Sequence, residues 1–228
     1  MSDFLQLSQR VRQETGTYGL GPTSVIGQRD HYAQIVAWTA QACADVCREW
    51  VNWAFLWSEG SLTLASGTAT YSPEADCRQI NEDTLYISGG SLGVSQNLLE
   101  YIPFDDYRRM KASFTVNGLP WAFTVQPDGL IKMLPTPDAA YTVSYEYWAY
   151  ATALTADDSV APIPVAFEDV IVWKAAMYWA AFNEAEAEYQ KFASNYVGAF
   201  KALEAAQLPA PDQWHARSQG VNLVVETE

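Results

Sequence analysis

Between Arg29 and Trp57 the apolar residues Ile35, Trp38, Ala42, Val46, Trp50, Trp53 and Trp57 recur every three or four positions. Only an α-helix carries residues at that spacing along one side, and the stretch predicts a helix of about seven turns. A stripe holding four tryptophans needs a cover of other helices. Trp173 and Trp179, further along the chain, add to an apolar supply larger than one small bundle covers easily. Two readings of the stripe stay open, a core and a subunit interface.

The segments around the stripe fix the architecture. Phe4, Leu7 (or Ser8) and Val11 predict a first helix from Asp3 to Thr15, with Ser2 as its N-cap and Gly16 as its stop. After Trp57 the periodicity changes to two. "SLTLASGTATYS" reads as a strand pair or bent strand, "TLYI" as a short strand and "PFDDYRRM" as a turn or single helical turn. "WAFTV" and "LIKML" flank "QPDG" and read as a hairpin, and "YTVSYEYWAY" as a strand with aromatics on both faces. "VSQNLLEYIP" is a poor helix, and Cys77 falls in a loop. Beyond Pro162 and Pro164, Phe167 to Ala181 predicts a third helix, with Glu168 and Asp169 at its positive end. Asn183 reads as a cap in a polar interruption, and Tyr189, Phe192, Tyr196, Phe200 and Leu203 predict a fourth helix closed by Pro209. The expected fold class is α+β: a four-helix bundle (1–59 and 151–208) with a β-rich insertion (60–150) between helices two and three, and an extended C-terminal tail (209–228).

Composition restricts function. A hydrophobic share of 49% is ample for a core and excludes disorder of the whole chain. No apolar run approaches the roughly 20 residues that span a bilayer, and the start "MSDFLQLSQRVRQ" does not read as a signal peptide, so a soluble protein made in a cytosol is expected. Three cysteines fit a reducing compartment better than a disulfide framework. A net charge of −14 repels nucleic acid and acidic membranes, and it also suits a wall along which DNA must slide without sticking.

Reactive motifs are sparse. Gly89-Gly90-Ser91-Leu92-Gly93 matches the G-x-S-x-G nucleophile pattern, but no good helix follows it and the only downstream histidine is His215, in the polar tail. Cys43 and Cys47 share a helix face without the further ligands that zinc needs, and read as packed thiols. Asp105, Asp106, Asp157, Asp158, Glu168 and Asp169 offer carboxylate pairs of the glycosidase kind, yet they sit where turns and helix caps use acids. "GLGPTSVIG" follows a helix and is followed by Gln28-Arg29 where a phosphate-binding loop has Lys-Ser/Thr. No catalytic, cofactor or metal site is expected. The glycine-studded loop reads instead as a joint between subunits, with Gly19, Gly21, Pro22 and Ile26 as candidate interface residues. In the tail, Trp214 is a large apolar anchor, and Val221, Leu223 and Val225 alternate like a strand able to add to an edge or groove. The tail is expected to order on a partner. A glycan-binding β module using its Tyr and Trp side chains is the alternative.

The ordered set "FLQLSQRVRQETGTYGLGPTSVIGQRDHYAQIVAWTAQA", "WVNWAFLW", "FTVQPDGLIKMLPTPDAAYTVSYEYW", "PIPVAFEDVIVWKAAMYWAAF" and "YQKFASNYVGAFKALEAAQLP" resembles the head-to-tail adaptor (connector) proteins of tailed bacteriophages, from Phe4 to Pro209. That resemblance implies a structural virion protein synthesised in the host cytoplasm. It implies a ring, usually of twelve copies, beneath the portal protein. The C-terminal segment would reach into the portal, further tail proteins (tube, nozzle or fibre components) would attach below, and DNA would make passing contact in the channel. The resemblance implies no membrane partner and no cofactor.

Overall fold

The computed structural model describes residues 2–89, 94–112 and 116–208. The protein is α+β, and its described residues form two compact units, one of 2–55 with 151–208 and the other Leu56–Tyr150.

The first unit is helical: α1 (Phe4–Glu14), α2 (Asp30–Glu49), α4 (Asp169–Phe182) and α5 (Glu186–Gln207). Helix α4 packs against α1, α2 and α5. Asp3, not Ser2, caps α1: its carboxylate accepts from Gln6 N while the Gln6 side chain accepts from Asp3 N, a reciprocal capping box. The next orphan donors of that first turn, Phe4 N–H and Leu5 N–H, go to the Ser159 and Asp157 carbonyls of the 151–164 linker, and Ser2 N–H goes to Glu168 Oε1. Leu7 and Ser8 are both buried, so either phase of the sequence reading holds.

Helix α2 ends at Glu49, two turns short of the predicted end. Trp50 is extended (φ −128°, ψ 149°), and the chain folds Trp53 back onto the helix it has just left. The Trp53 indole N–H donates to the Val46 carbonyl at 3.2 Å, one of the four last-turn acceptors that a helix leaves open. The seven-turn stripe therefore divides. Ile35, Ala42 and Val46 are buried on α2, Trp53 is buried beyond it, Trp50 is exposed, and Trp57 begins a strand. A 3-10 turn over Val165–Phe167 leads into α4. Asn183 is a cap, at the end of α4; its carboxamide donates to Trp179 O at 2.8 Å, and Glu184 takes the left-handed φ of 54° in the tight turn to α5. Helix α5 ends at Gln207, two residues before Pro209, as the restriction on pre-proline residues favours.

The second unit is a sandwich. Strands β1 (Trp57–Leu64), β3 (Cys77–Ile80), β4 (Tyr86–Gly89), β5 (Val94–Leu98) and β9 (Tyr141–Ala149) form one sheet, in which β9 pairs β1 along its whole length and β3 and β4 on its other side. Strands β2 (Thr70–Tyr71), β6 (Glu100–Tyr101), β7 (Ala122–Val125) and β8 (Ile131–Leu134) form the other. Leu62, Leu64, Ile87, Val143 and Tyr145 of the first sheet share one core with Phe123, Ile131 and Met133 of the second. The β7–β8 hairpin and β9 stand where the periodicity puts them. Helix α3 (Phe104–Lys111) has two turns instead of one, and buries Tyr107 against Ala122 and Leu134 on the far side of the second sheet. Two readings are corrected: Cys77 lies on β3, and residues 94–98 form β5 rather than a weak helix.

Gly60 shows how closely this core is fitted. It sits opposite Tyr145, and a Cβ there would come within 2.5 Å of the buried Tyr145 ring. The tyrosine covers the backbone that glycine leaves bare.

Candidate interaction surfaces

Among the described residues, the elements around the reactive motifs have structural uses. Strands β4 and β5 pair antiparallel on either side of residues 90–93, so a strand follows the G-x-S-x-G motif where a nucleophile elbow has a helix. Residues 90–93 and His215 lie outside the described residues. Cys43 and Cys47 are buried reduced thiols, and burial, reinforced by the charges of Asp76 and Glu74, pushes the Cys77 thiol up to about 11. That thiol stays protonated and unreactive at neutral pH. Among the described residues no group of His, Cys, Asp and Glu is arranged to hold a metal, and no helix is long and apolar enough to cross a membrane. The acids serve as ties: Asp169 pairs with Arg10, Asp106 with Arg109, and the buried Glu168 accepts from Ser2 N–H.

The glycine-rich loop is held from three directions. From α1, the Arg12 guanidinium donates to the Gly19 carbonyl and Gln9 Nε2 donates to the Pro22 carbonyl at 3.1 Å. From α2, Tyr32 Oη accepts from Gly21 N–H and donates to the Tyr18 carbonyl, both at 3.1 Å. From the linker, the Asp157 carboxylate accepts from Ser24 Oγ and Val25 N–H. Gly19 has a φ of 101°, and a Cβ on it would lie 2.0 Å from Tyr32 Oη. Any other residue there would meet both backbone strain and a collision.

Of the four candidate interface residues, Ile26 is exposed, Gly19 is half-buried under Tyr32, and Gly21 and Pro22 are buried. The glycines and Pro22 shape the loop, and the surface it offers comes from elsewhere. Tyr18 is 92% exposed, Leu20 is 101% exposed and Ile26 is 67% exposed. A loop tied at many points thus still holds three large apolar side chains in water, the kind of surface that contacts use. Sequence reasoning passed over Tyr18 and Leu20; the available signal was two large apolar residues interleaved with glycines. The other candidates, Trp214, Val221, Leu223 and Val225, lie outside the described residues.

A polar cluster locks α2 to α4. Tyr178 Oη donates to Asp45 Oδ2 at 2.6 Å, and Gln41 Nε2 donates to Asp45 Oδ1 at 2.7 Å. Burial works to raise the Asp45 pKa, but these two hydrogen bonds and the charges of Arg48 and Lys174 hold it below the ordinary carboxylate value. A depressed carboxylate pKa stabilises the fold above the unfolded value, near 4, and the contribution is lost as pH falls through the folded value. Tyr178→Phe should therefore cost about 1.5–3 kcal/mol at pH 7, the range for a hydrogen bond to a charged group. Denaturant melts of both proteins should show that gap narrowing below about pH 4. A gap independent of pH would mean that the hydroxyl does not act through the Asp45 carboxylate.

With this geometry in place, comparison with known proteins adds one positive finding. The family described as SU10 adaptor protein matches residues 2–219, which includes both units. No curated protein matches the chain.

Proposed function

The chain belongs to the SU10 adaptor protein family of phage head-to-tail adaptors, and from that premise we propose that it forms a ring, of about twelve copies, beneath the portal of a tailed phage virion. The observation that carries this reading is a family match spanning nearly the whole chain. The ring extends the DNA channel and gives the tail proteins a platform. It performs no catalysis. The helical unit, in this reading a four-helix bundle, makes the ring, with the loop's Tyr18, Leu20 and Ile26 seated on the neighbouring copy. Weak contacts suffice, because a closed ring on a ready-made portal makes each of them intramolecular. The same logic has the free protein mainly monomeric, since rings closing in the cytosol would compete with assembly on the vertex. A net charge of −14 suits a channel wall that must not retain DNA.

Residues 209–228 are the docking arm, with Trp214 as anchor and Val221, Leu223 and Val225 as the alternating face laid against the portal. Deleting the residues after Pro209 should weaken capture by purified portal at least about a hundredfold, and Trp214→Ala should account for about 2 kcal/mol of that loss. The melting temperature should barely move, because an arm this polar orders on its partner in this reading. Capture equal to that of the intact chain, or a melt many degrees lower, would remove the docking role.

A further inference from the structure

The first sheet of the β unit has an outer face that the sandwich leaves unpartnered. Register fixes what stands on it. Trp57 is opposite Trp148, Glu59 opposite Glu146 and Ser61 opposite Ser144, while Tyr86 is opposite both Ser144 and Leu98. Their alternates along the strands, Leu62, Leu64, Ile87, Val143, Tyr145 and Tyr147, are core residues, so this set faces away from the core. Trp57 is 45% exposed and Leu98 56% exposed. Glu59, Ser61, Glu74, Tyr86, Ser144 and Glu146 line an open groove across the strands.

The carboxylate pair is the unusual element. Like charges directly opposite on neighbouring strands repel, and a sheet has no internal reason to place Glu against Glu. Among the described residues no ion pair neutralises Glu59 or Glu146; Asn81 Nδ2, 3.5 Å from Glu146 Oε2, brings no charge. An exposed Trp57 opposite a half-buried Trp148, directly beside two carboxylates that have no ion pair among the described residues, is a surface that fits a cation. A guanidinium would satisfy the carboxylates with forked hydrogen bonds and rest its flat face on tryptophan. A second copy is a poor source of that cation, since the chain holds 13 Lys and Arg against 27 Asp and Glu.

We propose that this sheet face docks a cationic segment of a protein partner, an extended stretch bearing arginine or lysine that lies across Glu59, Glu146 and the Trp57–Trp148 pair. The docking needs neither ring nor portal, so it can fail while the adaptor reading stands, and the reverse.

The test uses the full chain and a fluorescent hexa-arginine peptide, followed by anisotropy at about 0.15 M salt, where diffuse attraction is largely screened. Glu59→Gln with Glu146→Gln should weaken binding about tenfold or more, and Trp57→Ala about threefold. The control, Glu186→Gln with Glu188→Gln on α5, removes the same charge from another exposed surface and should change binding less than about twofold. The sheet double variant should melt no lower than the parent, because it relieves repulsion. Equal weakening by the two double variants would reduce the effect to general acidity and overturn the proposal. Trp57-dependent binding of a neutral oligosaccharide such as maltohexaose, with no site-dependent binding of hexa-arginine, would overturn it in favour of a glycan face.

Discussion

Trp53→Ala is expected to lower the stability of the helical unit by about 3–5 kcal/mol, the usual cost of emptying a fully buried aromatic site. Trp53 is 0% exposed, stacks on Phe55 with ring centroids 5.3 Å apart, meets Phe200 edge-on at 6.0 Å, and donates its indole N–H to the last turn of α2. Alanine would remove the volume, the ring contacts and the cap together. For a chain of this size that corresponds to a fall in melting temperature of roughly 10 °C. Trp50→Ala is the informative comparison, because the periodicity places both residues on one helical stripe. Trp50 is exposed and its Nε1 donates to Glu204 Oε1 at 2.8 Å, so its loss should cost about 1 kcal/mol. Equal losses would mean that α2 continues past Glu49.

Leu20→Ser combined with Ile26→Ser is expected to leave the monomer intact and abolish ring closure. Both side chains stand in solvent, so stability should shift by no more than about 0.5 kcal/mol. At an interface each would act as an apolar anchor, and their joint loss should cost about 2–4 kcal/mol per contact, a hundredfold or so in affinity. The effect repeats at every joint of a ring. Paired measurements of melting and of assembly on portal separate the two effects. A variant that still closes the ring would show that the loop serves another purpose.

What could be read in advance follows from where the information lies. Helices α1, α4 and α5, the β7–β8 hairpin and β9 are written in local periodicity and turn residues, and they stand within a few residues of their expected places. The end of α2 was hidden because a tertiary contact decides it: the Trp53 indole competes for the Val46 carbonyl, and no local pattern announces a side chain returning from seven residues away. Strands β3 and β5 were hidden because each is short and lacks apolar alternation; both are held by pairing with distant β9 or with β4. The glycines of the loop and Ile26 were legible, but the exposure of Tyr18 and Leu20 was not. Tyr18, Leu20 and Ile26 point outward because Tyr32 and Asp157 pull the backbone between them inward, and those ties exist only in three dimensions. The opposition of Glu59 and Glu146 depends likewise on the β1–β9 register.

The central claim, a ring-forming adaptor on the portal, is tested most directly by negative-stain imaging of the full chain mixed with purified portal, beside light scattering of the protein alone. The account predicts a mainly monomeric protein in isolation and a closed ring of about twelve copies stacked coaxially on the portal when the two are mixed. Portal particles without added density, or with copies bound singly and no closed ring, would contradict it.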